Sequence, residues 1–504
     1  MIAQTIIEKR KMGINTKMEN INRNSGVLLH ITSLPNEYRL GCFSSECHRF
    51  IDWLYDSGFR TWQILPLVDC GYGGCPYNAH SSFAINPYLI DISEFLSAEE
   101  IASFGFDKSQ PVYSEQDKLD KALDLIYDKF SASSPRTEFD KKNSYWLDDY
   151  ALYKVIKSKH NHVSWQEFPV KLRDRNKVAL TEFRDKYARE IDKVKFLQFV
   201  ASNQWENIHN YAKSRGIKIF GDVPYYVCMD SADVWSNPKN WKLATSTTKG
   251  EIAGIPPDCF NADGQLWGNP IYDFKSMALD KYKYMTSRFT RAEELVDYIR
   301  IDHFVAFGNY YSIPANSKTA KNGKWVKGEG DKLLSAITSK LKAPIIAEDL
   351  GMITPEVVKL REKFNIPGLK LLQYAFHGDC DDMYKPHHWG KDSVGYLGTH
   401  DNDTYKGMLD NIGSWEHLNR IKKYLRMPLE WGNDAVIDQS IIAMYQSNAC
   451  MIIITMQDIL KLGSDCRMNI PGTTENNWLW QMNEMPSREI CSYYADLAYT
   501  YGRL

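Results

Sequence analysis

One unit recurs along this chain and limits what it can fold into: a short apolar run that ends on a polar residue, followed by residues at helical spacing. The first run is Ser25 to Ile31, the helical stretch Glu46 to Ser57 ends at Gly58, and Thr61 to Pro66 is the second run. Strand, helix, C-terminal glycine and strand make a βαβ unit, which implies a parallel sheet. The pattern returns at 217–222, 295–302, 344–348, 369–376 and 394–400, with Arg467 to Asn469 as the eighth candidate. Eight such strands fit an α/β fold of the (β/α)8 TIM barrel kind with helical and loop insertions between strands. A doubly wound sheet is the alternative, but no glycine-rich G-x-G-x-x-G follows the first strand. Val436 to Leu460 is interrupted by Asp438, Gln439, Gln446 and Asn448, so it reads as a buried helix–strand segment rather than a membrane span.

A chain of 504 residues with helical spacing at 145–157 and 180–208 is expected to form one elaborated domain. Residues 1–22 read as a flexible leader and 23–504 as the domain. A mainly helical insertion is expected at about 93–215 and a loop insertion at about 227–290, both taken from the pattern of apolar spacing. The net charge of −2 leaves no electrostatic footprint for nucleic acid or a membrane surface. The ten cysteines match no zinc or dithiol spacing, so free thiols in a reducing cytoplasm are expected, with no metal and no cofactor. The pattern leaves monomer or small homo-oligomer open.

In a barrel of this kind the active site gathers at the C-terminal ends of the strands. Here those ends carry His30, Pro66, Asp222, Asp302, Glu348 and the pair His400–Asp401. Burying an ionised carboxylate without a partner is costly, so Asp302 behind Arg300 is either salt-bridged structure or a group kept for chemistry. Glu348 follows an apolar strand, where burial raises a carboxyl pKa toward what a general acid needs. The structural alternative is a helix cap by Asp349 with Glu348 uninvolved. Asp401 stands in a polar, glycine-containing string that an Asx turn would equally suit. Paired carboxylates are what acetal cleavage at a sugar requires, one to protonate the leaving oxygen and one ionised.

Longer motifs sharpen this. In order they are 25–30 (SGVLLH), 71–77 with Tyr72 and Tyr77, 84–91 (AINPYLID), 221–224 (GDVP), 230–235 (DSADVW) and 254–258 (GIPPD). They continue with 264–270 (GQLWGNP), 300–304 (RIDHF), 347–351 (AEDLG), 398–404 (GTHDNDT) and 467–472 (RMNIPG) with Asn477–Trp478. About a dozen segments in this order resemble the 4-α-glucanotransferases (amylomaltases, or disproportionating enzymes) of glycoside hydrolase family 77, from Ser25 to Met482. The resemblance implies a cytoplasmic transferase of starch, glycogen and maltose metabolism acting on α-1,4-glucans and malto-oligosaccharides. It implies retaining chemistry with Asp302 as nucleophile, Glu348 as acid/base and Asp401 as transition-state stabiliser. It further implies Arg300 beside the nucleophile, and Tyr77, His400, Asp230, Trp267 and Asn477 against sugar. By the same resemblance Asp258 and Phe260 are expected in a loop over the acceptor groove, and Tyr72 in a more distant glucan groove.

The sequence departs from the family pattern at Val305–Ala306, Met408, Glu329 and Gln481. Two alternatives stand beside transfer: an amylase-like retaining hydrolase, and a catalytically silent glucan-binding protein. Intact Asp302, Glu348 and Asp401 argue against the second.

Overall fold

The computed structural model describes residues 21–36, 40–70, 74–107, 115–245, 248–257, 262–351, 353–378 and 381–504. Twelve strands are named in chain order. They are β1 (Asn24–Leu28), β2 (Thr61–Gln63), β3 (Lys218–Pro224), β4 (Glu251–Ile255), β5 (Gln265–Pro270), β6 (Tyr298–Asp302), β7 (Asn309–Pro314), β8 (Lys324–Lys327), β9 (Ile345–Ala347), β10 (Gly368–Leu371), β11 (Ser393–Tyr396) and β12 (Met451–Thr455). Eight of them close a barrel in the order β1-β12-β11-β10-β9-β6-β3-β2. Each neighbouring pair is parallel, and the ring closes where Asn24 to Leu28 lie against Met451 to Thr455. The expected (β/α)8 barrel is therefore present.

The eighth strand is not where the polar string Arg467 to Asn469 would have put it. It is β12, in the segment expected to be helix then strand: helix Asn433–Gln446 is followed by β12. Met451, Ile452, Ile453 and Ile454 are all fully buried. A parallel barrel strand is covered on both faces and wants a continuous apolar run, which 467–469 cannot supply. The stretch 180–208 is likewise not one helix but two, Lys177–Lys186 and Ala188–Ser214, parted at Tyr187.

The side-chain alternation of the strands decides what reaches the barrel interior. On β6, Ile299 and Ile301 join the outer core, while Tyr298 packs inside with Leu28, Phe220, Ile346, Tyr396 and Ile453. The same period points Arg300 and Asp302 inward above Tyr298. On β3 it places Asp222 inward above Phe220. Val305 and Ala306, which break the family pattern, lie in a buried 3-10 turn (Phe304–Phe307) and pack into the outer core.

Among the described residues six α-helices run between β2 and β3, of which Thr137–Lys159 packs on Ala188–Ser214. Two ion pairs clip Thr137–Lys159 to the loops above the strands: Lys154 to buried Asp69 at 2.8 Å, and Lys157 to Asp230. After β3, the strands β4, β5, β7 and β8 form an antiparallel sheet in the order β5-β4-β7-β8. At the opposite end of the barrel the fully buried guanidinium of Arg503 donates to the carbonyls of Asn24, Tyr445, Ser447 and Ala449. Arg23 adds bonds to Tyr445 and Ser447. These two arginines tie the segments that lead into β1 and β12. Among the described residues no helix is long and apolar enough to cross a membrane.

Candidate active site

Arg300 is the centre of the rim. Its side chain is 3% exposed and reaches two carboxylates at once, Asp222 through Nη1 and Asp302 through Nη2, the latter at 2.9 Å. The fork geometry of arginine allows this and a lysine could not. Burial, against the pull of Arg300, pushes the Asp222 carboxyl up to about 7, while the two acidic neighbours hold the guanidinium firmly cationic. Asp302 keeps about a quarter of its side chain open to the site, at 28% exposure, whereas Asp222 has none. The inner carboxylate is thus structural support for the cation, and the outer one is free to react.

Glu348 follows directly on β9, and its backbone is pinned on both sides. Its N–H donates to Ile301 O at 2.9 Å, and its carbonyl accepts from Phe304 N at 3.0 Å. Its carboxyl accepts from the backbone N–H groups of His303 at 2.7 Å and Leu350 at 3.1 Å. Burial, and next the charge of Asp302, push the Glu348 carboxyl up to about 8, against the pull of Arg300 and the two N–H groups. The carboxyl is therefore protonated at neutral pH. Asp349 caps no helix: it pairs with Arg361 at 3.2 Å and accepts from Leu369 N at 2.8 Å. A Cβ at Gly368 would collide with that carboxylate, so the grip of Asp349 on β10 depends on glycine there.

Asp401 lies on the far side. Thr399 and Asn402 make the turn between themselves, since Thr399 N–H and Oγ1 both donate to Asn402 Oδ1. The Asp401 carboxylate is left to accept from Asn469 Nδ2 at 2.6 Å, and Arg467 donates to the Asp401 carbonyl at 2.7 Å. His400 Nε2 is 3.4 Å from Asp401 Oδ2 and 2.9 Å from the hydroxyl of Tyr77. Tyr77 Oη also lies 2.8 Å from Asp222 Oδ2. The Tyr77 and His400 rings stack at 5.4 Å, and Trp478 tilts against both.

Among the residues expected at the site, Asp302, Glu348, Asp401, Arg300, His400 and Tyr77 therefore gather on one rim. Trp267, on β5, packs its ring edge-on against His303 at 4.8 Å. Asn477 spans its own loop, accepting from Ile470 N and donating to Thr473 O. The Asp230 carboxylate is bound by Tyr153, Trp165 N–H and Lys157, all from the helical layer. Tyr72, Asp258 and Phe260 lie outside the described residues. Sequence reasoning gave no role to Asp222, His303, Asn469 or Trp478. Asp222 was already visible as a polar strand end, and Asn469 and Trp478 stood inside quoted motifs.

Comparison with known proteins places this geometry. The family model described as 4-alpha-glucanotransferase matches residues 29–486. The 4-alpha-glucanotransferase of Clostridium butyricum is 36% identical over 490 residues, covering 94% of this chain and 100% of the relative. That of Synechocystis is 38% identical over 504 residues, covering 95% and 98%. The solved amylomaltase of Streptococcus agalactiae, in complex with acarbose, superposes with a TM-score of 0.89 at 32% identity, covering 95% of this chain and 99% of that one.

Proposed function

Because the chain belongs to the 4-alpha-glucanotransferase family and is a transglycosylating enzyme, we propose that it moves a segment of an α-1,4-glucan to the 4-hydroxyl of glucose or another glucan by double displacement through Asp302. The observation that carries this is the pairing of a buried Glu348, its carboxyl raised to about 8, with Asp302 held by Arg300 at 2.9 Å.

In the first half, an Asp302 oxygen attacks C1 as the C1–O bond to the departing chain breaks. The Glu348 proton goes to that leaving oxygen. Esterification removes the Asp302 charge, which is a cause of the raised Glu348 pKa. The Glu348 carboxyl is then more acidic, while Arg300 still favours its ionised form, so it becomes the base for the second half. The incoming 4-hydroxyl gives its proton to Glu348, its oxygen bonds to C1, and the ester bond to Asp302 breaks. One α-1,4 bond is exchanged for another with retained configuration, and neither water nor a cofactor is consumed.

Asp401, oriented by Asn469, is suited to accept from sugar hydroxyls as charge develops at C1. The half-buried Tyr77 ring, backed by stacked His400 and by Trp478 tilted against both, offers an aromatic surface for a glucose unit. The cysteines among the described residues are free thiols, which supports a cytoplasmic setting. The test is incubation with maltotriose: glucose plus longer oligosaccharides is the expected ladder. Glucose and maltose in equal amounts with no longer chains would mean hydrolysis instead.

A further inference from the structure

We propose that a basic cavity on the outer wall of the barrel binds a phosphorylated sugar: Lys385, Arg420, Lys423 and Arg426 take the phosphate, and the wall around Tyr424 takes the sugar. The site is separate from the transfer reaction, whose proposed glucan substrates are uncharged.

The cavity lies beside the one barrel connection that has no α-helix among the described residues. Between β10 and β11 the chain makes only two 3-10 turns, Leu372–Tyr374 and Pro386–His388. Phe376, Gly378, Lys385, Pro386 and His387 of this connection form one side. The helices Trp415–Tyr424 and Asn433–Gln446, with the residues just after each, form the other. None of the lining residues belongs to the rim that gathers Asp302, Glu348 and Asp401. The volume is about 910 Å³, the size of a site for a drug-sized molecule and far more than a bare phosphate fills.

Its charge is one-sided. Lys385, Arg420, Lys423 and Arg426 line it, and among the described residues no carboxylate does, in a chain whose net charge is −2. Glu416 pairs with Arg420 at 3.1 Å, whereas Lys423 and Arg426 are exposed and have no ion pair among the described residues. Asp382, on the same connection, is engaged by the backbone N–H groups of Phe376 at 2.7 Å and Tyr384 at 2.9 Å. His387 feels the excess: burial, and next His388 and Lys385, hold its imidazole below the usual range. Cations gathered around a concave space draw an anion, and the arginine fork matches phosphate oxygens two at a time. Beside them is a wall for a ring. Tyr424 packs on Phe376 at 5.1 Å, and its hydroxyl lies 3.1 Å from His387 Nδ1. Gln439 and Gln446 add amides that can both donate to and accept from hydroxyl groups. A sugar phosphate uses both halves of this lining. An uncharged sugar leaves the cations unused, and inorganic phosphate leaves the aromatic and amide wall unused.

The test is calorimetric titration of the full chain with glucose 1-phosphate, and separately with glucose, inorganic phosphate and AMP. Glucose 1-phosphate is expected to bind at one saturable site, about tenfold or more tighter than inorganic phosphate or AMP, and to weaken as NaCl is raised. Lys423→Gln and Arg426→Gln should each weaken it about tenfold, the worth of one charge-assisted hydrogen bond, and leave the response to glucose as it is in the wild type. Both side chains are exposed and lie outside the rim, so transfer from maltotriose should be unchanged in both variants, which verifies their fold. No binding of glucose 1-phosphate at millimolar concentration overturns the proposal. So does binding that K423Q and R426Q leave intact, since these cations would then only complement the dipole at the end of helix Trp415–Tyr424. Inorganic phosphate or AMP binding as tightly as glucose 1-phosphate overturns the assignment to a sugar phosphate.

Discussion

The backbone N–H of His303 donates to Glu348 Oε2 at 2.7 Å from a residue in the left-handed region, at φ 52°. The strand that delivers Asp302 therefore turns sharply one residue later to hold Glu348. Among the described residues each Glu348 oxygen has one donor, and these bonds temper the upward shift without cancelling it.

In the proposed scheme Glu348 sets the alkaline side of the pH profile. Its carboxyl, raised to about 8 by burial and by Asp302, must carry a proton to expel the leaving chain. Because the pKa is raised, the active form is complete at neutral pH and is lost as pH rises through about 8. The kcat/KM for maltotriose should fall about tenfold per pH unit above that point, the slope of a single titrating acid. Glu348→Gln should lower the rate by on the order of 10³-fold and, in its residual activity, flatten this limb. A wild-type rate unchanged up to pH 10 would remove Glu348 from the role of acid.

Arg300 serves two carboxylates, and the two can be separated by substitution. Asp302→Asn should lower transfer by several hundred-fold or more, on the order of 10³, because no covalent route remains. Arg300→Lys keeps one charge but cannot reach both Asp222 and Asp302, and should cost about 10²-fold in kcat with a smaller change in KM. Equal kcat for wild type and R300K would show that the fork is not used. Intact-mass analysis with an activated fluoro-maltoside should find a sugar adduct on the wild type and none on D302N.

The parts of this architecture that were legible in the sequence are those written in local periodicity. Arg300 and Asp302 are two apart on a strand, so the pleat alone puts both on one face, and the apolar run before Glu348 announces its burial. Asn469 reaches Asp401 from a loop 68 residues later in the chain, and no spacing rule carries that contact. The same loop is not the eighth strand, which is the continuous apolar run of β12 ending on Thr455. Asp222 was seen as a rim residue, but its role depends on Arg300 across the β3–β6 pair. His303 has no sequence signal at all, since what it contributes is its backbone.

Asp230 tests whether a motif residue acts on sugar or on the fold. Its carboxylate is ion-paired with Lys157 and accepts from Tyr153 and Trp165 N–H. Lys157→Met and Asp230→Asn should each lower Tm by about 1–2 °C, as loss of one partly buried pair does in a large domain. The double variant should be no less stable than the worse single, because the two residues share one interaction. A rise in KM for maltotriose confined to D230N would put the carboxylate on the sugar as well.

Arg503 offers the clearest separation of stability from catalysis. It is fully buried, and among the described residues it has no carboxylate partner in its hydrogen bonds. It is solvated instead by the carbonyls of Asn24, Tyr445, Ser447 and Ala449, which belong to β1 and to the approach to β12. Burial pushes its guanidinium down to about 9. Because the folded pKa is lowered, deprotonation is easier in the folded than in the unfolded state. The strain from this charge is thus present below about pH 9 and eases above it. Arg503→Met removes the charge but leaves several buried carbonyls without donors, at about 1–3 kcal/mol each for those that cannot relax. The net expectation is destabilisation by about 3 kcal/mol, read as a fall of a few degrees in Tm. The kcat and KM of the surviving folded enzyme at 20 °C should match the wild type, because the residue lies at the end of the barrel opposite the rim. A variant that melts like the wild type would mean that the carbonyls find other donors and that Arg503 does not hold the barrel seam.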